Sequence, residues 1–378
     1  MDRPIVIAAG GTGGHLFPAE ALAAELLRRG WRIALMTDAR SGALASPVFA
    51  GQEQFVLRGA GIAGRGLLRG FAAALGLALG TIAARRRLRA VAAEAVIGFG
   101  GYPAVAPVLA ARFRRAGSGQ SAQPRRPRIL LHEQNAVLGR ANRLLARVAD
   151  VLALSHADTA RVAGGVCTML TGNPVRPALA ALAGQGYAAP TAGGPFRLLV
   201  LGGSLGARVF SDVVPAALGS LPEGLRARLA VTQQCRAEDL ERVRAAYAGT
   251  GIAVDLAPFF TDVADRLAAA HLVVARAGAS TVAELAVAGR PAILVPLPGA
   301  IDDHQTANAR ALEQAGGAFL VPQPAFTAVA LASRILGLAA APALLTAAAR
   351  AAAGCGIADA ATRLADLVEL TIAQDTVP

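Results

Sequence analysis

Strand-like apolar runs alternate with alanine- and leucine-rich helical runs along this 378-residue chain, and the alternation starts twice. Residues 5–9, 32–36, 95–98, 128–132 and 151–154 read as one series of strands, and 197–201, 227–232, 252–256, 272–275 and 292–295 as a second. A strand followed by a helix returns to its sheet in parallel, so the pattern predicts an α/β chain of two doubly wound domains. Single cores rarely outgrow roughly 250–300 residues, which argues for the same division. The Gly-, Pro-, Thr- and Ala-rich stretch 164–195 reads as the hinge. The domains are then 1–165 and 166–350, and a last helical segment, 351–378, carries Leu364, Leu367 and Val368 at a spacing that predicts packing back on the first domain. Residues 117–124 read as a surface loop.

Each series opens on a glycine turn. Gly10-Gly-Thr-Gly-Gly14 precedes His15 and a helix expected to begin near Pro18. Its glycines allow a ligand to approach the backbone closely. A dinucleotide fingerprint counted from Gly11 would need its third glycine at Leu16, which disfavours a nicotinamide enzyme. His15 falls where open α/β sheets bind ligands, outside the carboxyl ends of the strands. Gly202-Gly-Ser-Leu-Gly-Ala207 repeats the design, with Ser204 offering a hydroxyl and N–H to phosphate oxygens and Arg176 beside it as a leaving-group clamp. Two such turns facing a shared cleft fit a donor in one domain and an acceptor in the other.

The run from Arg276 to Glu284 reads as a donor pocket. Ser280 and Thr281 are N-cap candidates for an apolar helix whose free N–H groups would face a diphosphate. Glu284, about one turn inside, is an acceptor-only group suited to two ribose hydroxyls, and Gln305 and Asn308 offer donors and acceptors to a sugar ring. Phe259-Phe260 follows a proposed strand and suits a uracil edge as well as it suits core packing. Gly98-Phe-Gly-Gly-Tyr-Pro103 and His132-Glu-Gln-Asn135 end on the side of His15 and favour a polar ligand. No Asp-x-Asp pair occurs, so helix N-termini and Arg176, not a metal, are expected to carry the leaving-group charge.

All 37 basic residues are arginine and the net charge is +12, which points to phosphate, anionic lipid or nucleic acid. An aromatic content of 4% argues against stacking platforms for single strands. Cys167, Cys235 and Cys355 fit no metal pattern and suit a reduced, cytoplasmic chain. The longest apolar stretch, 71–84, is too short to span a membrane and is interrupted by Gly76 and Gly80. Leu67, Leu68, Phe71, Leu75 and Leu79 among bordering arginines suit the headgroup boundary of an anionic bilayer, or else a buried helix with a solvated basic end.

Taken in order, the turns at 10–15 and 98–102, His132–Asn135, Gly172-Asn-Pro-Val-Arg176, the turn at 202–207, Arg276–Glu284 and Asp302–Asn308 resemble the MurG family of bacterial undecaprenyl-diphospho-muramoylpentapeptide N-acetylglucosaminyltransferases. The resemblance runs over nearly the whole chain. It implies two Rossmann-like domains of the GT-B type facing a central cleft, with UDP-GlcNAc as donor, lipid I as acceptor and lipid II as product. It implies donor contacts at Thr12, Gly13, Gly14, Asn135, Arg176, Ser204, Phe260, Ala279, Ser280, Thr281, Val282, Ala283, Glu284 and Gln305. Acceptor contacts are expected at Gly100, Gly101, Tyr102, His132, Glu133 and Gln134. The chain departs from relatives at His304, where some carry a second glutamine, and at Phe260, where an aliphatic residue is common. The implied reaction is inverting: the acceptor C4 hydroxyl attacks the anomeric carbon opposite UDP, with His15 as first candidate for the base and Asp38 as rival, His15 being equally placed by this reading to hydrogen-bond the diphosphate or sugar instead. No cofactor and no metal are expected. The implied setting is peripheral, on the cytoplasmic face of the bacterial inner membrane, with an anionic lipid surface and other cell-wall synthesis proteins as partners and no nucleic acid. Two alternatives stay open: a UDP-sugar epimerase or hydrolase, which shares the donor half, and a non-catalytic nucleic-acid binder using charge alone.

Overall fold

The computed structural model describes residues 3–10, 13–38, 46–57, 67–113, 126–203 and 206–374, with the side chains of 67–73 excepted. Thr12, Ser204 and the loop 117–124 lie outside the described residues, as do the side chains of Leu67, Leu68 and Phe71. The chain forms two compact units, Met1–Arg176 with Asp359–Pro378, and Pro177–Ala358.

In the first unit β1 (Ile5–Ala8), α1 (Gly13–Arg28), β2 (Ile33–Asp38), β3 (Glu53–Leu57), α2 (Leu67–Ala90), β4 (Ala95–Gly98), α3 (Gly101–Arg112), β5 (Arg128–Glu133), α4 (Arg140–Leu145), β6 (Val151–Leu154) and β7 (Thr168–Leu170) follow one another. They build a seven-stranded parallel sheet in the order β3-β2-β1-β4-β5-β6-β7. Successive side chains of β1 point to opposite faces. Ile5 and Ile7 join Leu22, Leu26, Leu364 and Val368 on one face, while Val6 and Ala8 join Leu88, Val105 and Val108 on the other.

The second unit runs through α5 (Pro177–Ala180), β8 (Phe196–Leu201), α6 (Arg208–Gly219), α7 (Glu223–Arg226), β9 (Leu229–Gln234), α8 (Leu240–Tyr247), β10 (Ala253–Ala257), α9 (Val263–Ala269), β11 (Leu272–Ala275), α10 (Ala279–Ala288), β12 (Ala292–Leu294), α11 (His304–Gln314), β13 (Ala318–Leu320), α12 (Ala328–Ala339) and α13 (Pro342–Cys355). Its six-stranded parallel sheet has the order β10-β9-β8-β11-β12-β13. Phe196, Leu198 and Val200 of β8 pack with Phe210 and Val214 of α6 and with Phe326.

A last helix, α14 (Ala360–Ala373), belongs to the first unit. Its Leu364, Ala365, Leu367 and Val368 share a core with α1. Glu369 fastens it, accepting from Trp31 Nε1 and from Arg29, each at 2.7 Å.

The division differs from the expected 165/166 and 350/351. Residues 166–176 stay with the first unit because β7 is paired in register with β6, Leu154 opposite Leu170. Residues 351–358 stay with the second because α13 runs on to Cys355 and Gly356 sits against the Ala286 carbonyl, where a Cβ would come within 2.7 Å. Three strands have no counterpart in the sequence reading: β3, β7 and β13.

Candidate active site

Both sheets reverse winding direction once, between β1 and β4 and between β8 and β11. Such a point opens a crevice at the carboxyl ends of the strands, because the loops on either side leave in opposite directions. The glycine turns sit there.

In the first unit α1 begins at Gly13, so His15 lies in its opening turn and not on a loop before Pro18. Pro18 stands inside this helix, one turn past its start, and has no N–H to donate to Gly14 O. The His15 ring lies against the turn after β4. A Cβ on Gly101 would come within 3.4 Å of His15 Cδ2 and one on Gly100 within 3.6 Å of Cε1, at φ values of +67° and +79° that side chains rarely adopt. These glycines hold the imidazole at the crevice.

Beneath it His132, Glu133 and Gln134 are buried and Asn135 half-buried, and the side chains of the first three are spent on the protein. His15 Nδ1 is 3.0 Å from Gln134 Oε1. Gln134 Nε2 lies 3.0 Å from Phe99 O and from His132 Nδ1, and 3.1 Å from His132 O. His132 Nε2 donates to Gly172 O at 2.9 Å. Burial pushes the His132 imidazole down to about 4. Glu133 accepts from Asn135 N and Nδ2, Gly139 N and Asn142 Nδ2, all within 3.1 Å, and so ties the loop after β5 to α4. The expectation that His132, Glu133 and Gln134 contact an acceptor is therefore corrected for their side chains: they are 0%, 2% and 2% exposed. Asn142 escaped sequence reading; it also donates to His132 O.

Tyr102 stands in the first turn of α3, half-buried, its hydroxyl without a partner among the described residues. Asp38, the rival base, ends β2 and is 7% exposed. The Arg176 guanidinium lies 4.9 Å from the Phe17 ring of α1, and Glu20, one helical turn on, is pushed up by burial although Ser46 and Arg176 oppose the shift.

In the second unit α10 is capped by Gly278, not by Ser280 or Thr281, which occupy its first turn. Gly278 enters extended and turns the N–H groups of Ala279, Ser280 and Thr281 toward the crevice after β11. Val282 N bonds Gly278 O, so the intrahelical ladder of α10 begins there. Val282 is buried and Ala283 partly buried behind that turn, and Glu284 is 8% exposed. Arg276 is a strut: it donates to Val295 O, Pro296 O and Gln323 Oε1 within 3.1 Å. Asn308 is fully buried and donates to Ala277 O, which braces the entry to α10 and takes it away from a sugar ring. Gln305 Oε1 accepts from Leu297 N at 2.9 Å. Asp302 and Asp303, just before it, hold left-handed φ values of 55° and 53°, a strain of the kind that gathers at ligand sites.

A Cβ on Gly202 would sit 2.4 Å from Ala207 N, so position 202 excludes any side chain. Gln234, also missed by sequence reading, ends β9 and clamps the turn: it accepts from Gly202 N and donates to Gly203 O and Pro258 O. Phe260 is 5% exposed with Arg266 4.0 Å above its ring, whereas Phe259 is 61% exposed. The residues 202–206 also spell the Gly-x-Ser-x-Gly of a hydrolase elbow. The histidines of this unit are engaged elsewhere, His271 with Arg197 N at the amino end of β8 and His304 with Ile301 O.

On α2, Leu75, Leu79 and Ile82 are 51%, 59% and 49% exposed and share one stripe with exposed Arg86 and Arg89, while Gly80, Ala84 and Leu88 are buried opposite. Among the described residues no single helix is long and apolar enough to cross a membrane.

Residues 5–153 match the glycosyltransferase family 28 N-terminal domain, and residues 197–364 the glycosyltransferase family 28 C-terminal domain. The chain is 62% identical over 371 residues to the UDP-N-acetylglucosamine–N-acetylmuramyl-(pentapeptide) pyrophosphoryl-undecaprenol N-acetylglucosamine transferase of Granulibacter bethesdensis, across 98% of this chain and 94% of the relative. The transferase of the same description from Acidiphilium cryptum is 55% identical over 374 residues, 99% and 98% of the two chains. Among solved structures, Acinetobacter baumannii MurG superposes with a TM-score of 0.76 at 30% identity, over 97% of this chain and 99% of that one. A UDP-N-acetylglucosamine 2-epimerase, with a TM-score of 0.66 and 14% identity, covers 100% of this chain and 98% of its own and shares the fold alone.

Proposed function

The chain belongs to glycosyltransferase family 28 and, within it, to the MurG transferases, and from that premise we propose how its residues move N-acetylglucosamine from UDP-N-acetylglucosamine to undecaprenol-pyrophosphoryl-N-acetylmuramyl-pentapeptide, lipid I, to give lipid II. The observation that carries the reading is the His15 ring held at the winding reversal of a sheet by two positive-φ glycines and one buried amide.

The second unit takes the donor. The N–H groups at the start of α10, with its positive dipole end, offset the charge that grows on the leaving diphosphate. Glu284 accepts from the ribose hydroxyls, and the Gln305 amide nitrogen is the group left to donate to the sugar, since its oxygen holds Leu297 N. Phe260 acts through its backbone, its ring being buried. The first unit supplies the base. His15 takes the proton of the acceptor C4 hydroxyl as that oxygen attacks the anomeric carbon opposite UDP, which inverts the centre to a β-1,4 bond. Arg176 adds a cation for the pyrophosphate. No metal enters this reading: no Asp-x-Asp pair occurs in the chain, so the start of α10 and Arg176 are the groups that meet the leaving-group charge. The exposed leucines of α2 beside Arg86 and Arg89 support a peripheral seat on an anionic bilayer, where a lipid-linked acceptor resides.

Release of UDP from UDP-N-acetylglucosamine, measured with and without a lipid I analogue, tests the transfer. Release only with the analogue, together with sugar on the lipid, is the expected result. Free sugar without acceptor dependence would instead mark a hydrolase.

A further inference from the structure

The proton on His15 is placed by a chain of buried bonds that begins at a backbone carbonyl. Gly172 O can only accept, so His132 Nε2, 2.9 Å away, carries its hydrogen. His132 is 0% exposed and its ring resists protonation, so it is neutral and its Nδ1 is a bare lone pair. The Gln134 atom 3.0 Å from that lone pair also lies 3.0 Å from Phe99 O and 3.1 Å from His132 O. Three acceptors surround it, so it is the amide NH2; the flipped amide would set an oxygen against three lone pairs in a dry site. The amide oxygen then faces His15 Nδ1 at 3.0 Å and requires a hydrogen there. A neutral imidazole has one hydrogen. We infer that Gln134, oriented by His132, holds neutral His15 as the Nδ1–H tautomer and leaves Nε2 bare, aimed past Gly101 to take a proton.

Gln134 and His132 are positioning residues, acting on the reaction through His15. The orienting group is an uncharged amide where serine hydrolases place a carboxylate. The side chain of Glu133, the nearest carboxylate in sequence, is spent on Asn135, Gly139 and Asn142. The catalytic consequence rests on His15 being the base; the tautomer does not.

Long-range proton–nitrogen correlation of the 15N-labelled protein, at a pH where the rings are neutral and with His15 assigned by its loss in His15→Ala, reads the tautomer directly. Protonated Nδ1 and bare Nε2 are expected in the wild type. Protonated Nε2 overturns the inference, and this measurement needs no variant of Gln134 to fold. In Gln134→Met the His15 nitrogens should lose that preference, and kcat should fall by about 10–10⁴-fold, the upper bound being what the wrong tautomer costs a serine protease, with KM for UDP-N-acetylglucosamine unchanged. An unaltered His15 tautomer in a folded Gln134→Met protein also overturns it. If the tautomer shifts while kcat holds, the positioning stands and the assignment of His15 as base falls.

Discussion

At the scale of single residues the molecule separates groups that are offered from groups that are spent. His15 is half-buried at the crevice, while Asp38 is 7% exposed at the end of β2. His15→Ala is expected to lower kcat by about 10²–10⁴-fold and to remove the acidic limb of the pH–rate profile, which Asp38→Asn should leave in place. The reverse pattern would make Asp38 the base. Glu284→Ala should raise KM for UDP-N-acetylglucosamine by roughly 10–100-fold, since a hydrogen bond to a charged group is worth about 1.5–3 kcal/mol, and an unchanged KM would reject the ribose contact. His132 predicts a pH dependence of stability. Below its ordinary value of 6.5 the unfolded chain binds a proton that the folded chain refuses down to about 4. Stability is therefore full above 6.5, falls by about 3 kcal/mol as pH drops to 4, and levels off beneath. Denaturant titrations at several pH values should show that slope in the wild type and a shallower one in His132→Gln. The chemistry-bearing types were legible in the sequence, because polar groups at the end of an apolar run stand out. Which of them face inward was not. His132, Glu133 and Gln134 look the same in sequence as residues that greet a substrate; the carbonyls of Gly172 and Phe99, remote in the chain, turn His132 and Gln134 inward, and Asn135, Gly139 and Asn142 hold Glu133.

At the scale of elements, legibility follows burial. Strands buried on both faces, such as β1, β4, β6 and β11, are continuous apolar runs and were placed to within a residue. Three sheet-edge strands escaped. β3 (Glu-Gln-Phe-Val-Leu) and β7 (Thr-Met-Leu) are largely exposed and carry no such signal, and β13 has three residues. The cap of α10 is hidden for a related reason: Ser280 and Thr281 have cap chemistry, but an extended Gly278 supplies the geometry. In α2 the apolar and basic residues fall on one stripe, so its outward face is a property of the helix as a whole. Leu75→Glu with Leu79→Glu should weaken co-sedimentation with anionic vesicles and leave KM for the donor unchanged. Persistent vesicle binding in that variant would move the membrane contact elsewhere.

At the scale of the whole molecule, two units with one winding pattern were expected and two are found, divided at 176/177 and 358/359. Neither crossing was legible to the residue, because each depends on a pairing distant in sequence: β7 on β6, and Gly356 against Ala286. Leu364, Leu367 and Val368 of α14 each contribute about 1.5–3 kcal/mol to the first unit, together a sizeable share of the roughly 5–15 kcal/mol that stabilises a domain. Deleting 359–378 should therefore give a calorimetric transition at lower temperature for the first unit only, and limited proteolysis should leave 177–358 intact. A single unshifted transition would show that α14 is dispensable. The same return of the chain sets an order of events on the ribosome. The sheet of the first unit emerges first, but the helix that covers α1 is made last, after all of 177–358. At about 5–20 residues per second this leaves Leu22 and Leu26 uncovered for roughly ten seconds or more. The second unit, continuous in sequence, can close in that interval, so the half of the molecule translated first is the half completed last, and nascent chains are most open to aggregation through the face that only their final helix seals.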